Sequence, residues 1–247
     1  MPFETDLLGP LLPGLREQAE RGVPNAVLAL AMAEDRHPAV LAEAERRVDW
    51  LLAEEPRSWS AGGFQAPLFG RPRRDAACFG LLLSPPSIER LARHLLRLAT
   101  EGTGDFDPTR ADALDGITIL AEYLPDPVRD ELVHPVLALA QASAESSFDK
   151  LWQGTLHPLS PGKVDVGRRR AAAAAVVAAA ALARRPEHGE TVLASASELA
   201  RPNDGPAVQG AARAIATLLD QGLVELDPAQ VLQISTSEPF RELAVVA

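Results

Sequence analysis

Cysteine is almost missing from this chain: Cys78 is the only one in 247 residues. No intramolecular disulfide can form, and one sulfur cannot build a thiolate zinc site. A chain that makes no use of cystine fits a reducing, cytoplasmic setting. Aromatic residues make up only 4%, so any core must be assembled from small and medium aliphatic side chains. Lysine is confined to Lys150 and Lys163, which leaves arginine to supply nearly all the positive charge, with its capacity for bidentate anion contacts. Strand-forming residues are sparse, and no stretch alternates polar with apolar over a strand's length. The longest apolar run, Ala171 to Ala183, falls short of the roughly 20 residues that a membrane span needs. The first residues, Met1-Pro2-Phe3-Glu4-Thr5-Asp6, are acidic and lack a secretory-leader pattern. No membrane association is expected.

What is present is apolar and acidic: 47% hydrophobic residues and a net charge of -10. The first is enough for a continuous core. The second weighs against nonspecific nucleic-acid binding, which depends on neutralising phosphates, and suits a basic partner. Prolines set the rhythm. Pro24, Pro38, Pro72, Pro108, Pro127 and Pro206 each open a stretch with helical spacing, where a missing N–H costs nothing. Between Gly167 and Gln221 the chain reads as three successive helices, Arg168–Arg185, Gly189–Arg201 and Ala207–Gln221. Pro135 falls inside a helix expected from Asp126 to about Ala144, and should bend it. Two irregular stretches interrupt the pattern, near 56–71 and 145–166. A short helix is expected at 227–234, and the chain closes with Pro239 to Val246, apolar enough to cover the end of the core.

Several helix starts share a proline followed two residues later by arginine: Pro72-Arg73-Arg74, Pro108-Thr109-Arg110 and Pro127-Val128-Arg129. The first helices of successive hairpins start near Pro72, Pro108, Gly167 and Pro206, at intervals of about 36, 59 and 39 residues, against a helical-solenoid period of roughly 40–47. The stretch from Asp204 to Leu218, with its acidic-proline turn followed by an alanine-rich helix, resembles the HEAT-repeat consensus. Asp126-Pro127-Val128-Arg129 resembles its opening, and Asp165 to Ala172 is a weaker match. The resemblance covers roughly 72–232 and is shared with armadillo-like repeats. It implies an all-α fold, a right-handed α-α superhelix of about five or six hairpins forming a single domain over 1–247. It also implies a noncatalytic scaffold or adaptor that binds another protein through a concave face. The alternative implied by the same architecture is a nucleic-acid-binding or DNA-repair protein of the alkylpurine DNA glycosylase type; tetrapyrrole handling, as in phycobilin lyases, finds no residue signature.

No catalytic or metal-binding constellation emerges, and no cofactor is called for. His37, His94, His134, His157 and His188 form no His-x-x-x-His pair, and Gly162-Lys163 lacks the upstream glycine and following hydroxyl of a phosphate loop. The candidate site is an arginine-lined edge. Arg71, Arg73 and Arg74 flank one helix start, Arg168, Arg169 and Arg170 another, with Arg110 between. Arginine beside free helix N–H groups can bind an acidic segment or phosphates. Trp59 and Trp152 would join the arginines in a nucleic-acid groove. The opposing expectation is that the arginines pair with the surplus of Asp and Glu.

Overall fold

The computed structural model describes residues 9–53, 72–101, 108–145, 161–200 and 205–225. The expected insertion at 56–71, the short helix expected at 227–234, the apolar stretch at 239–246, Trp59 and Trp152 lie outside them. The described residues form α-helices and short 3-10 turns, with no strand among them.

Among the described residues ten α-helices follow in order: α1 (Leu12–Glu20), α2 (Pro24–Met32), α3 (Pro38–Leu52), α4 (Pro72–Gly80), α5 (Pro85–Glu101), α6 (Pro108–Leu120), α7 (Asp126–Glu145), α8 (Pro161–Leu182), α9 (Pro186–Leu199) and α10 (Gly205–Asp220). Proline stands at the first position of most of them, as the sequence leads one to expect. Three far ends are closed by backbone geometry. After α1 and α10, Gly22 and Gly222 take positive φ, and the following N–H groups return to Gln18 and Leu218. This is the glycine-closed helix end that satisfies orphan carbonyls. After α2 the same turn is made by Glu34, a non-glycine residue at φ 54. His37 caps α3: its Nδ1 accepts the Ala39 N–H at 3.4 Å, while its own N–H donates to Asp35 at 2.9 Å. Helix α7 runs through Pro135 without ending.

The largest departure from the expected boundaries is at the start of α8. Helix α8 begins at Pro161, not at Arg168, so 161–166 belongs to a helix and not to the second irregular stretch. Pro161-Gly162-Lys163 has the composition of a loop, but proline is well suited to a helix's first position.

Every extensive helix–helix contact among the described residues joins elements one or two apart in the chain. Helices α2, α4, α6, α8 and α10 touch in succession, as do α1, α3, α5, α7 and α9. Within the first row, α4 and α6 run parallel. A Cβ placed on Gly116 would lie 3.3 Å from the Arg73 carbonyl and 3.4 Å from Ala77, and one on Gly80 would lie 3.6 Å from Leu120. A longer-range link crosses the short α4: the Tyr123 hydroxyl, in the 3-10 turn after α6, donates to the Glu34 carboxylate at the end of α2.

Burial follows the rows. No described side chain of α4, α6 or α8 from 73 to 80, 110 to 120 and 171 to 182 is fully exposed. Helix α8 touches α6, α7, α9 and α10, which accounts for its alanines being buried almost all round. The main core extends from Val48 and Leu51 in α3 to Val224. A smaller one joins Ala19, Val27, Leu30 and Val40 to Phe79 and Leu82.

Candidate functional site: the helix starts

The starts of α4 and α6 do come together, but their groups face each other. The Asp112 carboxylate, on α6, accepts the Arg73 N–H at 3.0 Å and the Arg74 N–H at 3.4 Å. A carboxylate from the neighbouring helix therefore occupies the place where an external anion would cap α4. Asp112 is 8% exposed and Arg73 equally so. Burial pushes the Asp112 carboxyl above its usual range, and the two N–H bonds oppose this only in part.

Arg110 is also turned inward: its Nε donates to the Ala99 carbonyl in the last turn of α5 at 2.8 Å. Arg129, in the same motif position on α7, is buried and donates from Nε to Leu124 O at 2.7 Å and from Nη2 to Glu122 O at 2.6 Å. At Arg110 and Arg129 the proline-x-arginine pattern thus places a guanidinium on carbonyls at the end of the preceding helix or turn. The sequence exposes the spacing of this device but not its purpose, because the acceptors belong to other elements.

The second cluster is corrected by the start of α8. Since the helix begins at Pro161, Arg168, Arg169 and Arg170 lie inside it rather than at its N-terminus. Their backbone N–H groups therefore belong to the helix interior and not to its first turn. Arg170 is exposed and Arg74 half-buried; Arg71 lies outside the described residues.

Two histidines that the sequence keeps apart meet at the α7–α9 contact. The rings of His134 and His188 stand edge to face, with centroids 5.3 Å apart. Asp130 pairs with Arg185 and lies 3.8 Å from His188 Nδ1. Asp130 and His134, one turn apart on α7, face the first turn of α9, a juxtaposition no spacing rule reveals. Among the described residues, no group of three or more His, Cys, Asp or Glu stands where it could hold a metal ion. No described helix is long and apolar enough to cross a membrane. Cys78 is buried, which raises its thiol pKa and disfavours the reactive thiolate. No family description, curated protein or solved structure matches the chain.

Proposed function

We propose that the chain is a HEAT- or armadillo-like solenoid, a right-handed superhelix of five or six hairpins, and that it works as a noncatalytic protein-interaction scaffold. The observation that carries this reading is the contact pattern, in which each helix packs on elements one and two away and the two rows advance together. Stacked hairpins of this kind bury one another's apolar faces and leave long flanks for partners. The row of α3, α5, α7 and α9 supplies such a flank. It exposes Glu45, Asp49 and Trp50 on α3, Arg90 and Arg93 on α5, Glu131 and His134 on α7, and Glu190 and Glu198 on α9. The inward roles of Arg110 and Arg129 favour this flank over the helix starts as the binding surface.

The test is affinity purification of the tagged chain from its source organism, with chemical cross-linking and mass spectrometry. A stoichiometric protein partner, cross-linked to residues of α3, α5, α7 or α9, is the expected result. Recovery of the chain alone, or of nucleic acid in place of protein, would overturn the reading.

A further inference from the structure

The flank carries one recess with a definite chemical character. Between α3 and α5 lies an open groove of about 400 Å³, whose walls include Glu45 and Asp49 on one side and Arg90 on the other. Its apolar lining is Leu41 on α3 and Leu83 in the turn before α5, both half-buried, with Val48 and Leu82 buried behind them, and Ser84 and Ser87 belong to the same lining. Their hydroxyls lie 3.1 Å apart and hydrogen-bond each other.

The charges of the groove differ from those around it. On α3, Glu43 is held by both Arg46 and Arg47. On α5, Arg93 is shared between Glu89 and Glu131. Glu45, Asp49 and Arg90, by contrast, are exposed and make no ion pair with any described residue. Glu45 and Asp49 are one helical turn apart, so their carboxylates lie on the same side of α3. Two neighbouring acids above an apolar floor, on a chain of net charge -10, form a surface complementary to cations that flank an apolar side chain.

We propose that this groove docks a basic, amphipathic segment of a protein partner. An apolar side chain of the segment rests on Leu41 and Leu83, and its lysines or arginines pair with Glu45 and Asp49. Arg90 receives an acidic group or a C-terminal carboxylate and so sets the segment's direction. This rests on the scaffold reading and names the partner's chemistry.

The probe is a fluorescein-labelled peptide of leucine and lysine at helical spacing, followed by fluorescence anisotropy on the full chain. The wild-type chain binds it, and a leucine–glutamate peptide of the same pattern does not bind. The double variant Glu45→Lys/Asp49→Lys weakens binding about tenfold or more, roughly 1.4 kcal/mol. The variant Glu190→Lys/Glu198→Lys, which changes net charge equally on α9, leaves binding within about twofold of wild type. A free C-terminal carboxylate on the peptide tightens binding relative to its amide, and Arg90→Ala abolishes that gain. Equal loss in both double variants would reduce the attraction to net charge and overturn the proposal, as would absence of binding to the wild-type chain. The double variants' melting curves show whether they fold, and Glu45→Gln/Asp49→Gln repeats the test without charge reversal. If a native partner co-purifies undiminished with Glu45→Lys/Asp49→Lys, the groove is wrong and the scaffold reading stands. If no partner is recovered with wild type either, the scaffold reading fails.

Discussion

Helix α5 buries Ile88, Leu91, Ala92, Leu95 and Leu98 along one side and presents Arg90, Arg93 and Thr100 to solvent, whereas α8 buries alanine after alanine around most of its circumference. Both contribute to the same core. The first is stabilised by the volume of large side chains that fill space between helices; the second by short side chains that let backbones approach. They should therefore fail in opposite directions. Leu95→Ala in α5 opens a cavity at a fully buried position and costs about 2–5 kcal/mol. Ala178→Leu in α8 adds volume where Ala178 is fully buried and costs about 1–3 kcal/mol. Urea unfolding of both variants checks the contrast. A melt unchanged for Ala178→Leu would mean that α8 has room on that side.

The next comparison lies between polar groups. Asp112 is buried against the start of α4, whereas Glu131 on α7 is exposed. The folded chain takes up the Asp112 proton at higher pH than the unfolded chain, since burial raises this carboxyl. Its contribution to stability thus declines as pH rises from the ordinary carboxylate range through the raised value. Asp112→Asn keeps an acceptor and should flatten that part of the stability–pH curve. Asp112→Ala also leaves the Arg73 and Arg74 N–H groups without their acceptor, a loss of about 1–3 kcal/mol. Urea midpoints for the three proteins across the acid range decide this. An identical slope in wild type and Asp112→Asn would show that the carboxylate is solvated in the folded chain.

Glycine sharpens the contrast because one substitution should change sign between regions. A Cβ on Gly210 in α10 would lie 2.5 Å from Ala173 Cβ and 2.8 Å from Ala173 Cα, whereas one on Gly14 in α1 meets nothing within 4 Å. Replacing a helical glycine by alanine ordinarily gains up to about 1 kcal/mol. Gly14→Ala should realise some of that gain. Gly210→Ala must push the α10 backbone off α8, and its melting temperature should fall.

The helical class was legible because proline starts, glycine stops and the lack of alternation agree with one another. The burial of Ala171–Ala183 was legible too, since a helix without a polar side has to be surrounded. The beginning of α8 was not: Pro161 and Gly162 punctuate loops as readily as they open helices, and only tertiary contacts decide between those states. The contacts of Arg110 and of the Arg73 N–H were not legible for a related reason. Arg110 answers to Ala99 and Arg73 to Asp112, partners that lie on other helices and leave no local mark. The α3–α5 groove escaped notice because its walls are separated in sequence by the 54–71 stretch and only folding brings Glu45 opposite Arg90.

The smallest effect is expected at the solvent-facing charges, where α5 is tied to α7. Arg93 donates to Glu131 from Nε at 3.0 Å and from Nη2 at 2.9 Å, and also reaches Glu89. The geometry is favourable, and hydrogen bonding to Arg93 holds the Glu131 carboxyl below its usual range. Yet the side chains are 43% and 53% exposed, so water and salt screen most of the attraction. A double-mutant cycle with Arg93→Ala and Glu131→Ala should return a coupling of about 0.2–1 kcal/mol, diminishing at high salt. Because a lowered carboxylate pKa adds stability above the unfolded value and loses it on acidification, the coupling should also vanish as Glu131 protonates. A coupling that survives both high salt and acid would show that α5 and α7 are joined here by side-chain packing and not by charge.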